Sequence, residues 1–461
     1  MAELKDLAVP PSDTSKNEAL DSPSRGESVQ FGHKMRKFFL FDRQYNNLNH
    51  GSFGTYPSQV RSRMRHYQDL CEARPDRFIR YDYPKMLDCS RKLLADYFNA
   101  ALDDIVLVPN ATVGINTVLR NLRYNPGDKI LYCSTLYGAC EKTVEYVCET
   151  TPATSIRVEL QYPLDDDDLL EAFRDGLKRG QDGGRVKIAL FDAVSSLPGV
   201  RMPFAELTDI CKQNGVLSLI DGAHAPGQVP IDLAKLQPDF FIGNCHKWLF
   251  APRGCALLYV PRKSQPLMRS SLPTSHGFVP LPCEGKIIHN PLPPSAKSEF
   301  VNQFEYTGAL DNSPFLCVPD CFQFIEEECG GQREYMEYCQ TLARQGGAIV
   351  AKLLGTEVMD NKEGTLSKCF FSNVRLPLHA EIFTSAERSQ VSQWITNKLV
   401  FDHHTFLAVF FHADSWWVRL SAQVYLESDD FRWVGQILDQ LCRKINDGGF
   451  RDALKISDVE E

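Results

Sequence analysis

The feature that most constrains the fold of this chain is a regular alternation of short apolar runs with amphipathic stretches. Apolar runs typical of buried strands lie at 105–108, 130–132, 186–191, 216–220 and 240–243. Stretches with helical periodicity, including 167–177 and 204–213, lie between them. Strands that alternate with helices form crossover units, which build a parallel sheet covered by helices on both faces. The sequence therefore predicts an α/β fold with a large, mostly parallel sheet.

The pattern changes near residue 320, which predicts a second domain. A helix is expected at 321–354, followed by strands at 369–376, 405–412 and 416–422 and by a final helix at 429–445. We expect Ala413-Asp414 to turn the last two strands into a hairpin, and Asp429 or Asp430 to cap the final helix. We therefore divide the chain into a large domain at 35–320 and a smaller C-terminal α/β domain at 321–461.

Two segments lack periodic apolar residues. Residues 1–34 are polar and contain Pro10-Pro11 and many charges, which favours a disordered tail. Residues 264–300 are rich in proline, which lacks the N–H group that helices and central strands need. A long loop of this kind inside a domain is usually functional or mobile.

The composition excludes several classes of partner. A net charge of −9 argues against nucleic acid and against an anionic membrane. No apolar run reaches the roughly 18 residues of a membrane span, and the N-terminus lacks the apolar core of a secretory signal. The 15 cysteines include no C-x-x-C pair, so we expect no metal site and free thiols in a reducing cytoplasm. Without G-x-G-x-x-G or a P-loop, a dinucleotide or nucleoside triphosphate is not expected either.

Two polar side chains follow neighbouring strands of the predicted sheet. Asp221 ends the run 216–220, and Lys247 comes shortly after the run 239–243. In an open α/β sheet, ligands bind at the carboxyl ends of the strands, so the two side chains are expected to meet there. A carboxylate can keep a pyridine nitrogen protonated and a lysine can form a Schiff base, which is what pyridoxal phosphate (PLP) requires. The alternative is a loop aspartate and a solvated surface lysine.

Further candidate ligands of the cofactor surround this pair. Ala111 and Thr112 open a helix, where backbone N–H groups suit a phosphate, although a plain helix cap explains that segment equally well. Asn244 and His246 lie beside the lysine and are expected to bind the phosphate as well. These four residues form the predicted phosphate site.

Two other side chains are candidates for the cofactor ring. His224 lies three residues after Asp221 and is expected to reach the phenolic oxygen, although a lone histidine is more often structural. Tyr137 follows the strand at 130–133 and is expected to stack on the pyridine ring; core packing is the alternative.

Arg419 is the main candidate for binding a substrate. Its neighbours in the strand at 416–422 are apolar, so its guanidinium needs an anionic partner. A bidentate clamp on a substrate carboxylate and a structural salt bridge explain it equally well. Asn49 and His50 belong to a polar, glycine-bearing loop that is a further candidate for lining the site, although alone the loop is only a turn.

These residues resemble the class V aminotransferases, a family of PLP enzymes of fold type I. The resemblance rests on Asp221-Gly222-Ala223-His224, Cys245-His246-Lys247 and Arg419-Leu420-Ser421 and covers roughly residues 40–445. It implies a homodimer with active sites near the subunit interface. It also implies that Lys247 carries PLP, Asp221 binds the pyridine nitrogen, Tyr137 stacks on the ring and Arg419 binds the substrate carboxylate.

Segments 48–54, 73–75, 116–120 and 274–280 are similar to a fungal branch often labelled isopenicillin N epimerase-like. This branch contains the hercynylcysteine sulfoxide lyase of ergothioneine synthesis and a PLP enzyme of loline alkaloid synthesis. The chain departs from the family at Ala309, where a threonine usually contacts the phosphate of the other subunit; Thr307 is the candidate replacement. It departs from the lyase at Val158, near a position where the lyase carries a cysteine.

The resemblance implies an enzyme that generates a carbanion at Cα of a small amino-acid substrate. The leading hypothesis is a C–S lyase of the hercynylcysteine sulfoxide type. The alternatives are a loline-type enzyme that forms a bicyclic amine by γ-elimination and addition or by a Mannich-type cyclisation, an amino-acid epimerase or aminotransferase, and a PLP-free binding protein on the same fold.

Overall fold

The computed structural model describes residues 29–281 and 288–448, and its largest element is a seven-stranded sheet. The strands are β1 (Ile105–Val108), β2 (Asp128–Cys133), β3 (Thr154–Val158), β4 (Arg185–Asp192), β5 (Leu217–Asp221), β6 (Phe240–Asn244) and β7 (Ala256–Tyr259). Their order is β1-β7-β6-β5-β4-β2-β3, and only β7 runs antiparallel to its neighbours among these strands. The predicted mostly parallel sheet is confirmed.

Helices cover both faces of this sheet, as predicted. The α-helices are α1 (His50–Phe53), α2 (Ser58–Ala73), α3 (Pro75–Arg77), α4 (Tyr83–Tyr97), α5 (Ala111–Asn121), α6 (Gly138–Thr150), α7 (Asp166–Gln181), α8 (Phe204–Gln213), α9 (Leu233–Leu236), α10 (Glu299–Glu305), α11 (Ser313–Leu316), α12 (Val318–Glu328), α13 (Gln332–Leu354), α14 (Ser385–Phe401) and α15 (Ser428–Asn446). Successive side chains of β5 enter different cores, because side chains of a strand alternate between its two faces. Leu219 packs in one core with Val118 of α5, and Ile220 in the other with Leu207 of α8.

A second sheet belongs to the C-terminal part of the chain. It consists of β8 (Phe371–Arg375), β9 (Ala408–His412) and β10 (Ser415–Ser421) in the antiparallel order β8-β10-β9. The hairpin between β9 and β10 is confirmed: Ala413 and Asp414 both have positive φ, 49° and 53°, as a two-residue hairpin turn requires. The smaller α/β unit is therefore present, although the boundary at 320/321 stays a prediction and lies inside α12.

Two strands escaped the sequence analysis. Strand β3 lies at the edge of the large sheet and is half-exposed, so it carries polar residues and no apolar run. Strand β7 is a run of four buried residues that begins two residues after Gly254, and its apolar pattern was a usable signal.

The predicted helix at 321–354 is wrong as a single element. It is divided into α12 and α13, because Gly330 and Gly331 adopt φ of 69° and 92° and end the first helix. The predicted cap of the last helix is also wrong. Glu427 is the capping residue, and Asp430 accepts a hydrogen bond from its backbone N–H at 2.7 Å in a reciprocal capping box.

The predicted tail lies mostly outside the described residues. Its final residues contact the C-terminal part of the chain: the Phe31 ring stacks on Tyr338, and the Gly32 N–H donates to the Val424 carbonyl at 2.7 Å. The proline-rich segment ends where Ser298 caps α10, and residues 282–287 of it are outside the described ranges. No helix in the described ranges has the length and apolar character needed to cross a bilayer.

Candidate active site

The carboxyl ends of two adjacent strands bring the predicted site residues together. Strands β5 and β6 end at Asp221 and Asn244, and Lys247 follows β6 after a short turn. The Lys247 amine lies 3.1 Å from Nε2 of His224, which is itself buried. The sequence prediction that these residues share one sheet edge is therefore reproduced by the fold.

Burial and charge make Lys247 an unusually weak base. Burial and, to a lesser degree, the positive charge of Arg419 together lower the pKa of its amine to about 7, against the opposing effect of Asp221 and Asp192. A large fraction of the amine is consequently neutral at physiological pH. A neutral amine is the nucleophilic form of lysine.

Asp221 is held by two donors. Its Oδ1 accepts the Ala223 N–H at 2.9 Å, and its Oδ2 lies 3.6 Å from the Cys140 thiol on α6. Burial raises the pKa of Asp221, and the Ala223 N–H and the charge of Lys247 oppose that rise. The carboxyl group is thus fixed in orientation at the end of β5.

The start of α5 lies against the end of β6. Asn110 caps the helix by accepting the Val113 N–H at 2.9 Å, and Asn244 Oδ1 accepts the Ala111 N–H at 2.9 Å. Asn244 therefore positions the helix and already uses the Ala111 N–H. The Thr112 hydroxyl makes no hydrogen bond within the described parts of the chain and remains a candidate for the phosphate.

The two aromatic candidates differ in their surroundings. His246 Nδ1 lies 3.0 Å from the Cys255 carbonyl, so only Nε2 is left for another partner, and burial lowers the pKa of the ring to about 4. Tyr137 is the residue before α6 and is 52% exposed. It lies three residues before Cys140, whose thiol is 3.6 Å from Asp221 Oδ2, and its stacking on the cofactor ring stays a prediction.

Arg419 is a buried cation with no acidic partner among the described residues. Its Nη1 donates to the Ser196 carbonyl at 2.7 Å, and its Nη2 donates to Asn49 Oδ1 and to Ser52 Oγ, each at 3.0 Å. Its guanidinium carbon lies 4.5 Å from the centre of the Phe371 ring, and Nε has no partner. Burial lowers the pKa of Arg419 to about 10, so it stays charged. The structural salt bridge considered from the sequence is absent within the described ranges.

His50 and Asn49 make hydrogen bonds to other residues of the site. Both ring nitrogens of His50 are engaged, with the Tyr425 hydroxyl at 3.0 Å and with the Lys247 carbonyl at 2.7 Å. Asn49 contacts Arg419. A direct contact between His50 and a substrate stays a prediction, and the geometry gives this ring a positioning role.

The segment predicted as a glycine-bearing loop forms the short helix α1, and Gly54 directly after it approaches the lysine backbone closely. Gly54 has φ of +62°, and a Cβ atom on it would lie 1.8 Å from the His246 carbonyl oxygen. Only glycine permits this approach, because any side chain would overlap the peptide beside Lys247. This segment is therefore part of the site's wall.

Two residues singled out from the resemblance make no hydrogen bond to Lys247 within the described ranges. Thr307 is on the loop between α10 and α11, and no hydrogen bond within the described ranges joins it to the residues around Lys247. Val158 is buried at the end of β3, where it packs against Gly176 of α7. The departure from the lyase, valine in place of a cysteine, therefore lies in the hydrophobic core at the edge of the large sheet.

Three contributors were missed by the sequence analysis. Asp192 ends β4 as Asp221 ends β5, so the same rule applied to the run 186–191 would have found it. Cys140 and Phe371 carried no local signal, because their roles depend on tertiary contacts with Asp221 and Arg419.

Comparisons with known proteins agree with this geometry. The sequence profile of the family described as aminotransferase class-V matches residues 55–284. The L-cysteine desulfhydrase-like protein lolT1 of Epichloe uncinata is 35% identical over 443 aligned positions, covering 90% of this chain and 97% of that protein. The chain belongs to the class V aminotransferase family.

Two further relatives of this class V enzyme are informative. Hercynylcysteine sulfoxide lyase of Schizosaccharomyces pombe is 29% identical over 418 positions, covering 90% of this chain and 99% of that protein. A solved structure of a C-DES mutant, with glycine covalently linked to its PLP cofactor, superposes with a TM-score of 0.70 at 17% identity, covering 88% of this chain and 98% of that one. The structural match confirms fold type I. The family membership makes this chain a PLP-dependent enzyme.

The residues present fit the cofactor. Lys247 offers an amine of lowered pKa, Asp221 offers an oriented carboxylate for the ring nitrogen, and Thr112 offers a free hydroxyl at a helix start for the phosphate. When bound, PLP supplies an electron sink for negative charge at Cα of an amino acid. Lys247, with a pKa of about 7, is suited to accept the Cα proton and to return it.

Proposed function

We propose that this enzyme cleaves the C–S bond of a cysteine-derived amino acid. Such a reaction consumes one water molecule and yields a thiol or other sulfur leaving group, pyruvate and ammonia. Lys247 removes the Cα proton, Asp221 holds the ring nitrogen of the cofactor and Arg419 binds the α-carboxylate. The substrate is a small molecule and not a macromolecule.

The observation that supports an amino-acid substrate is the buried positive charge of Arg419, which has no acidic partner among the described residues. A buried guanidinium without an acidic partner is costly, and an incoming carboxylate would relieve that cost. Ser52 and Asn49 fix one edge of the guanidinium and Ser196 the other, while Phe371 covers one of its faces. This leaves Nε and the opposite face for the ligand.

The C–S bond as the point of cleavage is supported by the relatives. Both lolT1 and the Schizosaccharomyces pombe protein carry names that refer to cleavage at the sulfur of cysteine or of a cysteine sulfoxide. Val158 does not weigh against this, because it lies in the core. A ring-forming enzyme of the loline type is the second candidate, because the identity to lolT1, 35%, exceeds the 29% identity to the lyase, but the names of both relatives refer to C–S cleavage.

We also propose that two copies assemble with Thr307 of one near the phosphate site of the other. No hydrogen bond within the described ranges joins Thr307 to the residues around Lys247. The nearby Leu310 is 60% exposed and Tyr81 is 56% exposed. A second copy would cover these apolar side chains. The free cysteines of the described ranges favour the cytoplasm as its location.

Incubation with a panel of substrates tests the proposal. The holoenzyme is given L-cysteine, an S-alkylcysteine sulfoxide, hercynylcysteine sulfoxide and an O-acylhomoserine, with pyruvate read through lactate dehydrogenase and all products weighed by mass spectrometry. We expect pyruvate from at least one sulfur substrate, lost in Lys247→Ala and retained in Lys235→Ala, an exposed lysine of α9. Absence of pyruvate from all three sulfur substrates, with a cyclised amine from the homoserine derivative, would transfer the assignment to the ring-forming reaction.

A further inference from the structure

A second buried carboxyl group lies beside the cofactor carboxylate. Asp192 at the end of β4 is the direct partner of Asp221 at the end of β5 in the parallel register. The two residues are 3% and 2% exposed. Side chains at directly opposed positions of adjacent strands point to the same face of the sheet, so the two carboxyl groups are neighbours.

Their hydrogen bonds differ sharply. Asp221 accepts from the Ala223 N–H and from the Cys140 thiol. Asp192 has no hydrogen-bond donor in the described parts of the chain, and its Oδ2 is completely buried without a partner. Donors stabilise a carboxylate, and two adjacent buried carboxyl groups do not both ionise easily. A proton shared by the pair therefore resides on the group without donors.

We propose that Asp192 and Asp221 form a carboxyl pair that holds one proton, with Asp192 as the neutral acid and Asp221 as the carboxylate that binds the ring nitrogen of PLP. This proposal rests on the cofactor of the family and not on C–S cleavage. It gives Asp192 a positioning role: its neutrality keeps a single negative charge opposite the cofactor's cationic ring.

The groups around Asp192 favour its neutral form. Burial raises the pKa of Asp192 well above its ordinary value, and the charge of Asp221 raises this pKa further, while Lys247 opposes both. Lys247 is the one cation of the described residues whose charge acts on Asp192, and its own pKa of about 7 leaves much of it neutral.

Three further titratable groups face Asp192 from other elements, and none supplies a positive charge. They are Cys133 at the end of β2, Cys140 on α6 and Tyr162 after β3. Burial is the main cause that raises the pKa of each of these groups far above neutral. All three are therefore uncharged at physiological pH, and Lys247 is the only group in the described surroundings whose charge favours a second carboxylate.

The first test compares neutralising substitutions at the two positions. PLP affinity is measured for the wild type, Asp192→Asn and Asp221→Asn by titrating cofactor back into the depleted full-length protein and recording absorbance and fluorescence. Because asparagine imitates a protonated aspartate, Asp192→Asn should change the PLP dissociation constant by no more than about threefold, while Asp221→Asn should raise it more than about tenfold. If Asp192→Asn lost as much PLP affinity as Asp221→Asn, Asp192 would be shown to act as an anion, and the proposal would be overturned.

The second test detects the proton itself through stability. An aspartate whose pKa is raised in the folded state lowers stability increasingly as pH rises above its unfolded value of about 4. Asparagine does not titrate, so the melting temperature of Asp192→Asn relative to wild type should rise by about 2 °C or more between pH 5 and pH 8. A difference that does not change with pH would show that Asp192 ionises normally, which overturns the proposal.

Asp128→Asn is the matched control, because the pKa of this second buried aspartate is shifted in the opposite direction. Burial acts against ionisation of Asp128, but hydrogen bonds from Arg185, Asn125 and Lys187 outweigh it and lower the pKa to about 2. The carboxylate of Asp128 thus contributes stability that is fully present above about pH 4 and is lost only in stronger acid, so the melting temperature of this variant should lie below that of wild type by the same amount at pH 5 and at pH 8. Neither measurement depends on turnover, so failure of the carboxyl pair and failure of the C–S lyase proposal are distinguishable.

Discussion

His50 Nε2 lies 2.7 Å from the carbonyl oxygen of Lys247, while Nδ1 of the same ring lies 3.0 Å from the Tyr425 hydroxyl. A histidine at the start of the large unit thus joins the peptide of Lys247 to a tyrosine that follows β10. Because a single ring connects three distant segments, the position of Lys247 depends on the packing of both units of the chain.

Loss of this connection should cost stability. His50→Leu leaves the Tyr425 hydroxyl and the Lys247 carbonyl without this partner in a buried place, which costs about 1–3 kcal/mol of unfolding free energy. His50→Gln, which retains a donor and an acceptor, should cost less. Urea denaturation of both variants measures this, and equal stability of His50→Leu and wild type would contradict the role given to the ring.

Acid should destabilise the protein partly through His50. Burial lowers the pKa of this ring to about 4, so the folded state binds fewer protons than the unfolded state between pH 4 and about 6.5. The contribution of His50 to the free energy of unfolding is therefore fully present above pH 6.5. It falls by roughly 3 kcal/mol as pH decreases towards 4. His50→Gln should show a shallower loss over that window in unfolding experiments; an unchanged slope would mean that other groups dominate.

The basicity of Lys247 should respond to its two charged neighbours in opposite directions. Arg419 lowers the pKa of Lys247 and Asp221 raises it. Arg419→Met should therefore move the midpoint of Lys247 ionisation above 7, and Asp221→Asn should move it below. Competitive labelling of the cofactor-free protein with a small amine reagent, resolved by peptide mass spectrometry, reports this midpoint directly. Shifts in the same direction for both variants would contradict the electrostatic account.

Binding of substrate should depend on the geometry of the Arg419 guanidinium. Arg419→Lys keeps the charge but loses the planar fork, and removing a partner of a buried charged hydrogen bond costs about 2–5 kcal/mol. We expect a raised dissociation constant for amino-acid ligands with cofactor binding retained, measured from ligand-induced changes of the cofactor spectrum. Arg388→Lys is the control. Arg388 lies on α14, and its guanidinium also stacks on an aromatic ring, that of Phe411. Equal effects of the two substitutions would show that Arg419 is structural.

The sequence predicted the parts of the site that depend on local pattern. Asp221 and Lys247 follow apolar runs, and the rule that ligands bind at the ends of parallel strands places them together. The same rule, applied to β4, would also have predicted that Asp192 lies at this sheet edge. Contacts such as Phe371 against Arg419 were not, because they join strands far apart in sequence and are determined by packing. The break between α12 and α13 depended on two glycines that adopt positive φ, which helical periodicity alone does not reveal.

The most direct test of the account is to locate the cofactor. The holoenzyme is reduced with borohydride, digested and analysed by mass spectrometry, with Lys235→Ala and Lys247→Ala proteins treated in parallel. We predict that reduction fixes the mass of PLP on the peptide that contains Lys247, in the wild type and in Lys235→Ala. Attachment to a different lysine, or an undiminished yield of reduced cofactor peptide from Lys247→Ala, would contradict the central claim that Asp221 and Lys247 form the cofactor site.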